Sequence, residues 1–138
     1  MARTDKFREQ HVEILRLASE LRATLVESKL AADGAASRSL LSKLLGKLTL
    51  HLAAEDRHLY PELQRSADAA VATLSKRFAT EMGGIAAQIA DWGKRWPTPN
   101  AIKADPRKFM AESNGILDIL WNRMQRENRE LYPVADRV

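Results

Sequence analysis

Five residues of this chain can hold a cation or stand in for one, and all fall where a helical core should be apolar: His11, His51, Glu55, Arg123 and Glu127. Each recurs in step with leucines and isoleucines at spacings of three and four. Stripes of that kind have no structural use for charge, because burying an unpaired carboxylate or guanidinium costs several kcal/mol. His51 and Glu55 are four apart, so both side chains leave one helical face about a turn apart. Imidazole nitrogens and carboxylate oxygens converging between helices suit iron, manganese or zinc. The competing explanation is plainer: a lone inward histidine satisfied by a hydrogen bond, and His/Glu or Arg/Glu pairs lying on solvated helix faces. The set taken together favours a site, or the remnant of one.

Four amphipathic segments must position these residues. The first follows Thr4, a good N-cap, and carries Phe7, His11, Ile14, Ala18, Leu21 and Leu25 on one stripe, which predicts a helix to about Leu30. Ala31 to Gly34 reads as a turn. Ser37 or Ser39 then caps a second helix with Leu41, Leu44, Leu48, His51, Glu55 and Leu59 inward, ending soon after Pro61. A third starts near Ser66 or Asp68 and turns Val71, Leu74, Phe78, Met82, Ile85, Ile89, Trp92 and Trp96 inward until Pro97 to Asn100 stops it. Asp105-Pro106 opens the fourth, whose stripe is Phe109, Ser113, Ile116, Leu120, Arg123 and Glu127. Such segments joined by short connections predict an all-α fold, an antiparallel up-down four-helix bundle, in a single domain over residues 1–138.

The halves repeat. Residues His51 to Pro61 align without a gap on Arg123 to Pro133, matching Glu55 with Glu127 and Leu59-Tyr60-Pro61 with Leu131-Tyr132-Pro133. Upstream, Phe7, His11 and Ile14 fall on Phe78, Met82 and Ile85. Each half is thus one helical hairpin with a marked position at mid-depth.

His51-x-x-x-Glu55 before Leu59-Tyr60-Pro61, an isolated His11 on the first helix, and Glu127 before Leu131-Tyr132-Pro133 resemble the hemerythrin-like HHE cation-binding pattern over nearly the whole chain. The resemblance implies an up-down four-helix bundle holding two irons through five histidines and two bridging carboxylates, which binds oxygen or senses oxygen, nitric oxide or iron. By position, its metal ligands correspond to His11, His51, Glu55 and Glu127. The pattern also departs: Arg123 stands where the family has a histidine four residues before its carboxylate, and Met82 stands at the third-helix histidine. A thioether is a poor ligand for ferric iron and a guanidinium is not a ligand, so an ordinary oxygen-bridged di-iron centre is not expected. The expectation is a mononuclear or incomplete di-iron site, or no metal and an Arg123 fork bound to one or both of Glu55 and Glu127 in its place.

Composition narrows the rest. The chain has 138 residues, no cysteine and a net charge of +4 with a pI near 9.6. Thiolate metal sites, iron–sulfur clusters and disulfides are excluded, and the cytoplasm is the expected compartment. The polar N-terminus carries no signal-peptide pattern, and no apolar run approaches the roughly 20 residues of a transmembrane helix. Basic residues are interleaved with acidic ones, which argues against nucleic acid as a partner.

His58, three residues after Glu55, is expected near the bundle end, partly solvated and tuning its neighbours. Tyr60 and Tyr132 are expected to pack at helix ends with a hydroxyl able to reach a carboxylate. Gly83-Gly84 is expected to allow close helix approach or local flexibility. Trp92, Trp96 and Trp121 are expected in the core or at the bundle end, with a homodimer or another protein partner attractive if one is exposed. Two functions compete: a metal-ion module that binds dioxygen or nitric oxide and reports on redox state, and a metal-free scaffold acting through its surface. A third class, an iron oxidase or peroxidase, is the least supported, because it needs an open coordination position and a placed acid or base for which the sequence offers only Tyr60, Tyr132 or His58. Nucleophile and phosphate-loop motifs are absent, and an enzyme is not expected.

Overall fold

A computed structural model describes residues 2–138. Among these the chain is helical throughout, with four long helices: α1 (Asp5–Ala23), α3 (Ala35–His58), α5 (Ala69–Arg95) and α7 (Pro106–Arg126). Short helices α2 (Glu27–Ala32), α4 (Tyr60–Gln64) and α6 (Pro99–Ala104) fill the connections, and α7 runs through a π-helical turn, Glu127–Leu131, into α8 (Tyr132–Arg137). No helix among the described residues is long and apolar enough to cross a membrane.

The first helix ends at Ala23, seven residues before the expected Leu30. Thr24 explains the break: its hydroxyl donates to the Leu21 carbonyl at 2.7 Å and meets Ser37 Oγ at 2.6 Å, so the side chain competes with the backbone ladder. Ser37 is therefore a buried partner and Ser39 an exposed residue, and neither caps α3. Gly34 is the N-cap, and Asp33 just before it accepts from Ala35 N through Oδ1 at 2.9 Å. Thr4 sits at the N-cap position of α1 but makes no cap bond; its hydroxyl donates to Asp136 Oδ1 and fastens α8 to the N-terminal end. Asp68 and Asp105 cap α5 and α7 as expected. The extra helix α6 arises from Thr98 accepting from Ala101 N with Pro99 at its first position.

The apolar interior forms two clusters. One gathers Ile14, Leu21, Leu41, Leu44, Leu48, Ile89, Trp92, Trp96, Phe109 and Leu120; the other gathers Phe7, Leu59, Tyr60, Phe78, Leu131 and Tyr132. Along every contributing helix the polar residues lie between them: His11 between Phe7 and Ile14, His51 and Glu55 between Leu48 and Leu59, Arg123 and Glu127 between Leu120 and Leu131. Trp92 and Trp96 are core residues whose indole N–H groups donate to Ser113 Oγ and Glu112 Oε2. Trp121 is instead 54% exposed.

The glycines divide sharply. A Cβ on Gly34 would lie 2.5 Å from the Pro99 carbonyl oxygen and 3.0 Å from Ile102 Cβ, so α6 closes directly onto the turn before α3. A Cβ on Gly83 or Gly84 would meet nothing within 4 Å, so close helix approach is not their role. Thermal or urea unfolding should show Gly34→Ala destabilised by about 1–3 kcal/mol through overpacking. Gly83→Ala should gain about 0.5–1 kcal/mol from helix propensity.

Candidate metal centre

His11, His51, Glu55 and Glu127 meet in the interior, each at most 1% exposed, with one donor atom apiece lying within 4.8 Å of the others. The two imidazoles face each other, Nε2 to Nε2, at 3.1 Å. Glu127 Oε1 is 3.1 Å from His11 Nε2, and Glu55 Oε1 is 3.4 Å from His51 Nε2. Behind each ring stands an amide: His11 Nδ1 donates to Asn128 Oδ1 at 2.9 Å, and His51 Nδ1 donates to Gln10 Oε1 at 2.6 Å. With the ring protons held on Nδ1, both Nε2 lone pairs point at the same small space.

The carboxylates are cross-braced by the repeated tyrosines. Tyr132 of the second half donates to Glu55 Oε2 of the first at 2.7 Å, and Tyr60 of the first half donates to Glu127 Oε2 of the second at 3.2 Å. Each tyrosine follows its own half's glutamate by five residues, which on an uninterrupted α-helix points well away from it. Both halves break the helix there. The first does so at Leu59, between α3 and α4, and the second through the π turn, whose wider winding lets Glu127 and Tyr132 both face inward.

Electrostatics follow from crowding. Burial, and then the neighbouring Glu127 charge, push the Glu55 carboxyl well above the usual range. Burial acts the same way on Glu127, but the close His11 ring and the Arg123 charge outweigh it and hold this carboxyl below its ordinary value. Burial and the His11 ring bring His51 down to about 4, so it stays neutral at ordinary pH. Both tyrosine hydroxyls are pushed up by burial and the adjacent carboxylates, and remain donors.

Arg123 is buried beside this group but does not grip Glu55. Its Nη2 donates to the Phe78 carbonyl at 2.8 Å and to Tyr60 Oη at 3.0 Å, and lies 3.6 Å from Glu127 Oε2. Its Nη1 reaches Glu81 Oε2 at 3.4 Å, and its guanidinium carbon sits 4.6 Å from the Phe78 ring centroid. The fork is turned toward α5, where a carbonyl, a carboxylate and an aromatic face share its charge, so it pairs with one cluster carboxylate and not two. Met82 is packed into the aliphatic core, and His58 is exposed and apart from the cluster. The supporting residues Gln10, Glu81 and Asn128 give no periodic signal in the sequence, being ordinary polar residues next to inward positions. The tyrosine contacts were signalled by the repeated Leu-Tyr-Pro.

The donor set can hold a cation. In its ionised form Glu55 keeps Oε1 buried without a hydrogen-bond partner, and two imidazole Nε2 atoms converge beside it; both features cost free energy until a positive charge arrives. Two imidazoles and two carboxylates match ferrous iron, manganese or zinc.

A comparison with known families matches residues 2–135 to one described as the hemerythrin HHE cation binding domain. No curated protein and no solved structure matches the chain. With that match spanning nearly its whole length, and with buried histidines and glutamates grouped as cation donors, the chain belongs to the hemerythrin HHE cation-binding family.

Proposed function

We propose that the chain is a single-ion binding and reporting module. In this reading the four long helices form an antiparallel up-down bundle, and His11, His51, Glu55 and Glu127 hold one divalent ion, iron foremost. Support for the antiparallel arrangement comes from contacts at both ends of the α1–α3 pair, where His11 meets His51 and Thr24 meets Ser37. The α5–α7 pair behaves likewise, Arg95 meeting Glu112 and Phe78 meeting Arg123.

The observation that carries the single-ion reading is the pair of amide-backed histidines whose Nε2 lone pairs converge on an unpartnered carboxylate oxygen. Ring nitrogens held in this way are the usual support of metal-binding imidazoles. Arg123 supplies a fixed positive charge on the side where a second ion would otherwise be needed to balance the carboxylates. A ferrous ion in the site would supply redox chemistry and an affinity for dioxygen or nitric oxide. The ligands come from α1, α3 and the π turn, so occupancy ties three elements together and is read out as helix packing. Tyr60 and Tyr132 are each committed to a carboxylate, which favours a binding module over an enzyme.

The test is metal analysis of protein purified without chelators, then anaerobic titration of the stripped protein with Fe(II). One ion per chain is expected, with tight binding lost in His51→Ala. Saturation at 1,000 times Kd should stabilise the fold by about 4 kcal/mol. A second reading, a metal-free scaffold, draws on the Arg123–Glu127 pair as an internal counter-charge. It predicts no tight metal and a colourless protein.

A further inference from the structure

Resting on the single-ion reading, we infer that Gln10 is a positioning residue that fixes the tautomer of His51 and, through it, sets the preference of the site for ferrous over ferric iron. Gln10 Oε1 lies 2.6 Å from His51 Nδ1, opposite the nitrogen that faces His11 and Glu55. It also lines, with Glu13, Ile14, Lys47, Leu50 and His51 itself, a narrow crevice at the surface.

The internal repeat shows what this position does. The offset that places Phe7 on Phe78 and His11 on Met82 places Gln10 on Glu81, while His51 corresponds to Arg123. Glu81 Oε2 lies 3.4 Å from Arg123 Nη1 and 2.8 Å from Arg126 Nη1, so the same position faces the corresponding partner in both halves, shared in the second with Arg126. The two pairs differ in charge together: a neutral amide stands behind the imidazole, and a carboxylate stands behind the guanidinium. A carboxylate behind a ligating imidazole draws the ring proton toward itself and makes the far nitrogen a stronger donor, which favours the more highly charged ion. An amide oxygen fixes the ring equally well without that added negative charge. With Glu55 and Glu127 already present and Arg123 offsetting part of their charge, the amide leaves the site balanced for a divalent ion.

The test uses the full chain carrying Gln10→Ala or Gln10→Glu, with folding followed by circular dichroism. Fe(II) affinity is measured by competition with a chelator, and the Fe(III)/Fe(II) potential by redox titration. Gln10→Ala should weaken Fe(II) binding roughly 10- to 100-fold. Gln10→Glu should keep tight binding and lower the potential, stabilising ferric iron. Wild-type affinity in Gln10→Ala, or an unchanged potential in Gln10→Glu, would overturn the role of Gln10 while leaving the single-ion reading standing. A wild-type chain that takes up no iron would overturn the single-ion reading itself.

Discussion

Glu55→Gln is expected to abolish tight metal binding while leaving the metal-free protein at least as stable as the wild type. Glu55 Oε1 is buried without a partner, and burial with the nearby Glu127 charge favours the neutral carboxyl. The amide is the near-isostere of that neutral form, so it keeps the packing and removes the ionisation. Replacing the unpartnered Oε1 by an amide NH2 that faces the acceptor nitrogen of His51, with the amide oxygen still accepting from Tyr132, is expected to gain about 1 kcal/mol or more at neutral pH. The pH dependence gives a second signature. Because the folded-state pKa of Glu55 is raised, its neutral form supports the fold at low pH and that support is lost as pH rises through the folded value. Glu55→Gln should flatten this alkaline decline in urea unfolding of stripped protein. Its loss of Fe(II) affinity should exceed the roughly 10- to 100-fold typical of removing an outer supporting residue. A site whose donor is a liability until the ion arrives is what a binding function requires; a donor present for stability would behave in the opposite way.

Arg123→Leu should show the reverse pattern. The substitution strands Glu127 beside His11, and it removes the bonds to Phe78 and Tyr60 together with the stacking on the Phe78 ring. Breaking a buried pair by deleting one partner costs about 3–5 kcal/mol. In a chain of this size that lowers Tm by on the order of 10 °C. Bound metal should restore more stability to this variant than to the wild type, because the ion then supplies the missing positive charge. The stoichiometry should stay at one, since leucine adds no donor. Pairing Arg123→His with Met82→His adds two imidazoles and should raise the capacity toward two ions, which metal analysis reads directly.

Most of the site was legible because charge on an apolar stripe is anomalous. His11, His51, Glu55 and Glu127 announce themselves by falling in step with leucines, and the buried cluster gathers those four residues. Arg123 is inward as its spacing requires, but the sequence could not say which way a long, forked side chain would turn. The Phe78 carbonyl and Glu81 decide that, and both belong to another helix. His58 lies at the end of α3 with its side chain exposed, where the sequence expected it. The end of α1 was misplaced because Leu25 and Leu30 continue an apolar rhythm that Thr24 interrupts with a side-chain bond to a carbonyl three residues back. The π turn was invisible for a related reason. Its signal is the five-residue step from Glu127 to Tyr132, which fits neither a three- nor a four-residue rhythm and gains meaning only when both side chains must face inward.

An anomalous difference map from crystals grown with Mn(II) or Fe(II) tests the single-ion claim most directly. One peak per chain is expected, enclosed by His11 Nε2, His51 Nε2 and the Glu55 and Glu127 carboxylates, with Arg123 still turned toward Phe78. Two peaks, or none within reach of those four side chains, would contradict it.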